Sequence, residues 1–309
     1  MKKILFIRKY KKISGGQIKV RDYFLHCLRY PGLDPHIYFT PDSQWQDDPL
    51  WAQVPRAKVV AEIALAHFDI LFLAGKDWDY LPPASAPPAI INFIQHVKHG
   101  DPNSDRFQYL ARPALRLCVS EEVRAAIAPY VNGEAAVIQN GVPLDLFAAG
   151  ADKTPASILI WARKNPGLGA KLRRRLEAHT ANVAVLDDYV PREEFAQALA
   201  RSDIFVALPH ATEGFYLPAL EAMAAGCAVV CSDAVGNRKF CRHEETCLMP
   251  EFDHVEQHVA MTMRLIGDFV LKEKLRAAGS AIAQSYSLET ERAEFYRFLE
   301  RYFFAGMAG

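Results

Sequence analysis

The 309-residue sequence has no CxxC pair, no apolar run of membrane length, no net charge and few glycines. Its six cysteines (Cys27, Cys118, Cys227, Cys231, Cys241 and Cys247) are too scattered in a chain this long to form a disulfide scaffold. Cys231, Cys241, His243 and Cys247 can be imagined around zinc, but the paired short spacings of a zinc site are missing, so reduced thiols and no metal are expected. Apolar runs such as 222–231 fall far short of the roughly 20 residues a membrane span needs. The apolar stretch 4–7, between basic residues, is too short for a secretory leader. The cytoplasm is the expected compartment. Lys plus Arg and Asp plus Glu number 36 each, which argues against a surface built for nucleic acid. With half the residues apolar, wholesale disorder is excluded too.

That neutrality is a cancellation. Residues 1–21 carry eight basic side chains (Lys2, Lys3, Arg8, Lys9, Lys11, Lys12, Lys19 and Arg21) and no acidic one. A solvated loop and helix start accounts for the pattern. So does an anionic ligand or acceptor near this end, or peripheral contact with the inner face of a membrane.

Short apolar strands alternate with amphipathic helices, the pattern of α/β layers on parallel sheets. Strands are expected at 3–8, 36–40, 69–73, 89–94, 115–119 and 135–139, with a helix over 18–29 and a capped helix start at Ser120. The four prolines in 81–88 demand loop or edge. Around 140–143 and 148–155 the periodicity lapses, which divides the chain into domains 1–148 and 149–285. A second alternation follows: strands 157–161, 183–186, 204–207 and 228–232, helices 170–179, 192–201 and 218–225, one long helix 255–278, and a last helix 288–303.

Ligands of such domains collect at the carboxyl ends of strands. In Glu213-Gly214-Phe215-Tyr216-Leu217-Pro218-Ala219-Leu220-Glu221, Pro218 suits the first helical position. Gly214, Phe215, Tyr216 and Leu217 then bring backbone N–H groups to a helix N-terminus that favours phosphate. Glu213 in the loop and Glu221 in the first helical turn can accept hydrogen bonds from hydroxyl pairs. In Trp161-Ala162-Arg163-Lys164-Asn165-Pro166-Gly167-Leu168-Gly169-Ala170-Lys171, Arg163 and either Lys164 or Lys171 can neutralise a diphosphate. Gly167 and Gly169 do not complete GxGxxG, because Leu172 holds the third position. In the first half, Ser14-Gly15-Gly16 and His96 of Gln95-His96-Val97-Lys98-His99 each follow a strand; a plain turn and a buried histidine would read the same way.

The stretch from Glu213 to Val230, with its two glutamates separated by seven residues, closely resembles the donor-site motif of glycosyltransferase family 4. Tyr216 stands where many members have a second glycine, and its ring could narrow the sugar pocket. Looser resemblances are Asn140-Gly141-Val142-Pro143 with Phe147, the nucleobase-side segment Leu186-Asp187-Asp188-Tyr189-Val190, and a terminal helix (286–309) that crosses back onto the first domain. The resemblance implies the α/β GT-B fold, two Rossmann-like domains facing across a cleft, and a retaining glycosyltransferase with a nucleotide-diphosphate-sugar donor. It implies Glu221 on ribose, Glu213 and the Gly214–Tyr216 backbone on the sugar, Arg163 with Lys164 or Lys171 on the diphosphate, and Gly15, Gly16 and His96 over the sugar. It also implies no cofactor beyond the donor and no dedicated metal. The acceptor stays open: a glycan, a lipid-linked or a small molecule, with an anionic one the first to test. The rival readings are another GT-B enzyme, such as a nucleotide-sugar epimerase, and a non-catalytic nucleotide-sugar binder.

Overall fold

The computed structural model describes residues 1–81, 88–150 and 153–305. Most of the proline-rich 81–88 loop and residues 151–152 of the 148–155 linker thus lie outside the described residues. The chain forms two compact units, Met1–Gln139 with Arg292–Gly309, and Asn140–Glu291.

In the first unit the order is β1 (Lys2–Arg8), α1 (Gly15–Leu28), β2 (Leu33–Phe39), β3 (Val59–Val60), β4 (Ile70–Ala74), β5 (Ala89–Ile94), β6 (Leu115–Cys118), α2 (Glu121–Ile127) and β7 (Ala135–Val137). These strands form one parallel sheet in the order β3-β2-β1-β4-β5-β6-β7. The order reverses between β1 and β4, so the crevice outside their carboxyl ends is the natural ligand position of this unit. The apolar run Ile4–Ile7 is fully buried; Phe6 stacks on Phe72 of β4 at 4.5 Å. From Arg292 onward the terminal helix belongs to this unit, with the Phe295 ring 4.8 Å from Tyr23.

The second unit runs β8 (Thr154–Trp161), α3 (Pro166–Leu176), β9 (Val183–Leu186), α4 (Arg192–Arg201), β10 (Ser202–Ala207), α5 (Leu217–Ala224), β11 (Ala228–Cys231), α6 (Val255–Gly267), α7 (Phe269–Gln284) and the start of α8 (Leu288–Leu299). Its parallel sheet is ordered β11-β10-β8-β9. Ile158, Ile160, Ile204, Val206 and Val230 from the strands close a core against Leu172 of α3 and Leu275 of α7.

Three helix boundaries differ from expectation, each through a cap. Ser14 caps α1 by accepting the Gln17 N–H, so Gly15 and Gly16 form its first turn rather than a loop ahead of it. Asn165 caps α3 with Pro166 first in the helix, which therefore begins ahead of the expected 170. Asp268 ends α6 and caps α7, splitting the single helix expected over 255–278. The units part at 139/140, at the first of the two lapses in periodicity, and again at 291/292, where the expected boundaries are 148/149 and, from the resemblance, 285/286. Segment 140–147 is tied into the second unit by backbone bonds: Val142 N–H donates to Tyr286 O at 2.8 Å and Leu288 N–H to Val142 O at 3.1 Å.

Candidate functional site

In the second unit the loop after β10 leads through Glu213 into α5. Gly236 holds that loop in place: its N–H donates to Glu213 O at 3.0 Å. The approach is so close that a Cβ on Gly236 would lie 2.0 Å from Gly214 O. Phe215 packs on Phe240 with ring centroids 5.2 Å apart. Tyr216 is the residue before α5, Leu217 the first helical residue and Pro218 the second. Glu221 therefore stands in the second turn, one position deeper than expected, and is 2% exposed.

Two cations reach the two carboxylates. Lys164, in the turn after β8, places Nζ 3.3 Å from Glu213 Oε1. Arg192, the first residue of α4, places Nη1 2.8 Å from Glu221 Oε1. Arg163 lies beside Lys164 with its guanidinium 5.7 Å from the ring centroid of Tyr189, the exposed aromatic that follows β9. Lys171 is exposed on α3, and no recorded contact joins it to Glu213 or Glu221. Of the two competing lysines, the fold brings Lys164 to the carboxylate. Gly167 and Gly169 are helical; a Cβ on Gly169 would fall 2.3 Å from Ala162 Cβ, so this glycine lets α3 sit against the end of β8.

The site is rich in polar atoms awaiting partners. Thr212 Oγ1, Glu213 Oε1, Tyr216 Oη and Glu221 Oε1 are buried and receive no well-directed hydrogen bond, although both Oε1 atoms lie within ion-pair distance of a cation. Buried polar atoms are ordinarily satisfied, so such a group within one short stretch marks a place for a polar ligand. Burial, with Cys231, Glu213, Glu221 and Cys241 adding to it, pushes the Tyr216 phenol well above its ordinary range, so it stays a hydrogen-bond donor. Its ring is 3% exposed and packed inward.

The first unit assembles its own group at the carboxyl ends of β1 and β5. Gln95 Nε2 donates to Gly16 O at 3.4 Å, which joins the first turn of α1 to the residue preceding His96. His96 Nδ1 accepts the Lys98 N–H at 3.2 Å. The proton of the neutral ring is thereby on Nε2, which makes His96 a donor rather than a base at that atom. At the β1/β4 reversal Arg8 and Asp77 form a buried pair at 2.5 Å; burial outweighs the Arg8 charge and pushes Asp77 up to about 6. A cavity of about 730 Å³, walled by Leu71, Trp78, Ile90, Arg112 and Leu115, lies apart from this group.

Five of the eight basic side chains of residues 1–21 meet carboxylates. Arg8 binds Asp77, Lys9 and Lys11 share Asp42, and Lys19 and Arg21 share Asp22, so the segment keeps an excess of positive charge. Among the described residues no helix is long and apolar enough to cross a membrane, and no cluster of three His, Cys, Asp or Glu side chains is arranged to hold a metal ion. All six cysteines are buried and unbridged.

Residues 141–268 match the family model described as glycosyl transferases group 1. The match lies within the second unit. Among solved structures, sucrose-phosphate synthase from Thermosynechococcus elongatus aligns with 17% identity and a TM-score of 0.72, covering 99% of this chain and 100% of that one. Anabaena HepE in complex with UDP-glucose aligns with 16% identity and a TM-score of 0.74, over 97% and 100%. A UDP-N-acetylglucosamine 2-epimerase aligns with 14% identity and a TM-score of 0.63, over 98% and 97%. The chain has the GT-B fold, with mixed α/β layers on parallel sheets. No curated protein sequence matches it significantly.

Proposed function

We propose that the protein is a retaining glycosyltransferase that moves a sugar from a nucleotide-diphosphate-sugar to an acceptor hydroxyl. The observation that carries the reading is the two carboxylates met by cations, Lys164–Glu213 and Arg192–Glu221, beside the buried and unpartnered Thr212 Oγ1 and Tyr216 Oη, inside the segment that matches group 1 glycosyl transferases. Glu221 accepts the ribose hydroxyls. Amides of Gly214, Phe215, Tyr216 and Leu217, at the start of α5, bind phosphate. Arg163 and Lys164 neutralise the departing diphosphate, with Lys164 preferred to Lys171 because of its contact with Glu213. Glu213 orients the transferred sugar. In the first unit, Gly15, Gly16 and His96 are the groups assigned to a sugar, His96 through its Nε2 proton. Attack occurs on the face the diphosphate leaves, and the leaving phosphate oxygen takes the acceptor proton, so the anomeric configuration is retained. The two cations do the electrostatic work of a metal, so transfer should persist in a chelator. The acceptor class remains a glycan, a lipid-linked or a small molecule.

The test is donor binding followed by transfer. UDP, GDP and ADP are screened by thermal shift, starting with UDP because HepE was crystallised with UDP-glucose. The corresponding sugars are then incubated with candidate acceptors and the products read by mass spectrometry and by anomeric NMR. Isomerised free sugar without transfer would favour an epimerase, and tight donor binding without any sugar release would favour a binding protein.

A further inference from the structure

Arg192 is held from two sides. Its guanidinium carbon lies 5.0 Å from the ring centroid of Phe147, which is fully buried at the end of the segment tied to Tyr286 and Leu288. On its other side is Glu221 Oε1 at 2.8 Å; the Arg192 side chain is 14% exposed and that of Glu221 2%. A buried carboxylate without a cation takes up a proton, and a protonated carboxyl has lost one of its acceptor oxygens. An arginine is always charged and its flat face suits an aromatic ring, so it can keep such a carboxylate ionised without turning from Phe147.

We propose that Arg192 is a positioning residue of the donor site, keeping the Glu221 carboxylate ionised and oriented and sharing it with the ribose hydroxyls when a nucleoside diphosphate binds. This rests on the ribose role proposed for Glu221. Tyr216 on the preceding loop also interacts with Glu221 and is itself near Glu213, Cys231 and Cys241. On α7, which packs on α5, Lys272 and Arg276 are turned to Asp203 of β10, and Lys274 to the Glu244 carbonyl. Ahead of β11, Cys227 meets the Lys153 ammonium, and on α4 Glu193 and Glu194 are exposed. Among the described residues, Arg192 is the cation within ion-pair distance of Glu221.

The experiment measures UDP, GDP and ADP affinity by calorimetry from pH 5.5 to 8.5, each variant expressed as a ratio to the unaltered protein. Arg192→Gln should bind about tenfold more weakly at pH 8.5, and the ratio should worsen toward pH 5.5 because the buried carboxylate then lacks its cation. Arg192→Lys should keep a nearly flat ratio. Arg192→Gln/Glu221→Gln, which leaves no uncompensated charge and guards against loss of folding, should be weak but flat. A constant ratio for Arg192→Gln, or a lysine variant that follows the glutamine one, overturns the role of Arg192. If Glu221→Gln alone binds as the unaltered protein does, or no diphosphate binds at all, the ribose reading itself falls and this proposal with it.

Discussion

Replacing Lys164 by alanine separates what this side chain does for the fold from what it does for a ligand. The pair with Glu213 is formed by a side chain 48% exposed on the lysine side and 14% on the glutamate side. Such a half-solvated pair contributes about 0–1 kcal/mol, because water and salt screen it and a long side chain must be ordered. The midpoint of thermal unfolding should thus fall by no more than about 3 °C. A diphosphate changes the arithmetic, since its charge would be met by the same ammonium in a charge-assisted contact of roughly 1.5–3 kcal/mol. Lys164→Ala should therefore weaken UDP, GDP or ADP binding by about 10- to 100-fold. Lys171→Ala, on the exposed face of α3, should change it by less than about twofold. Glu213→Gln should act with the opposite sign: it releases Lys164 and removes a negative charge beside the diphosphate, so the bare nucleotide should bind equally or a few-fold more tightly while turnover collapses. Calorimetry of the three variants, with thermal unfolding as the stability control, reads all of this. A larger loss for Lys171→Ala than for Lys164→Ala would refute the assignment.

Gly236→Ala would set a Cβ 2.0 Å from Gly214 O and 2.7 Å from Phe215 N, backbone atoms that cannot swing aside, so diphosphate binding should fall at least about tenfold with about 1–3 kcal/mol lost in urea unfolding. His96→Ala should lower turnover about 10- to 100-fold with nucleotide affinity unchanged, and His96→Gln, which keeps an N–H donor, should recover part of it in a transfer assay. Asp77, raised to about 6 in the fold, should contribute stability below about pH 4 that is lost as pH rises through 6, opposite in sign to buried His99, lowered to about 3, and to Asp34, Asp42 and Asp105, each lowered by the lysine it binds. The difference in urea midpoint between the unaltered protein and Asp77→Asn, followed from about pH 4 to 8, should carry that slope, and a difference that does not change with pH would refute it.

How much of this was legible in the sequence depends on how far apart the cooperating residues lie. Glu213 and Glu221 stand on one loop-to-helix junction, so their spacing alone points to a shared site. The choice between Lys164 and Lys171 turns on where α3 begins. Its signal is the cap Asn165 followed by Pro166, which starts α3 ahead of the periodic stretch at 170. On either start Lys164 lies in the turn, but a start at Pro166 moves Lys171 from the first helical turn into the second. The pair Gly15-Gly16 looks like a loop until the Ser14 cap is considered, because glycine at a helix start looks the same as glycine in a turn.

Arg192 had no comparable signal. It opens a helix rich in acidic residues, and its partner lies on another helix two elements later, so only the packing of α4 and α5 around β10 reveals the pair. The basic N-terminus shows the reverse case. It is conspicuous as a run of like charges, yet only the fold shows that five of its eight cations lie against Asp22, Asp42 and Asp77. A sequence counts charges, whereas a fold decides which of them are spent on structure. Those N-terminal cations are paired with carboxylates of their own scaffold, while Lys164 and Arg192 are paired with the two carboxylates of the candidate site itself. Donor binding at such a site is an exchange of partners rather than the filling of an uncharged pocket. That is why the variants most able to expose it alter one member of a pair and watch what the other then does.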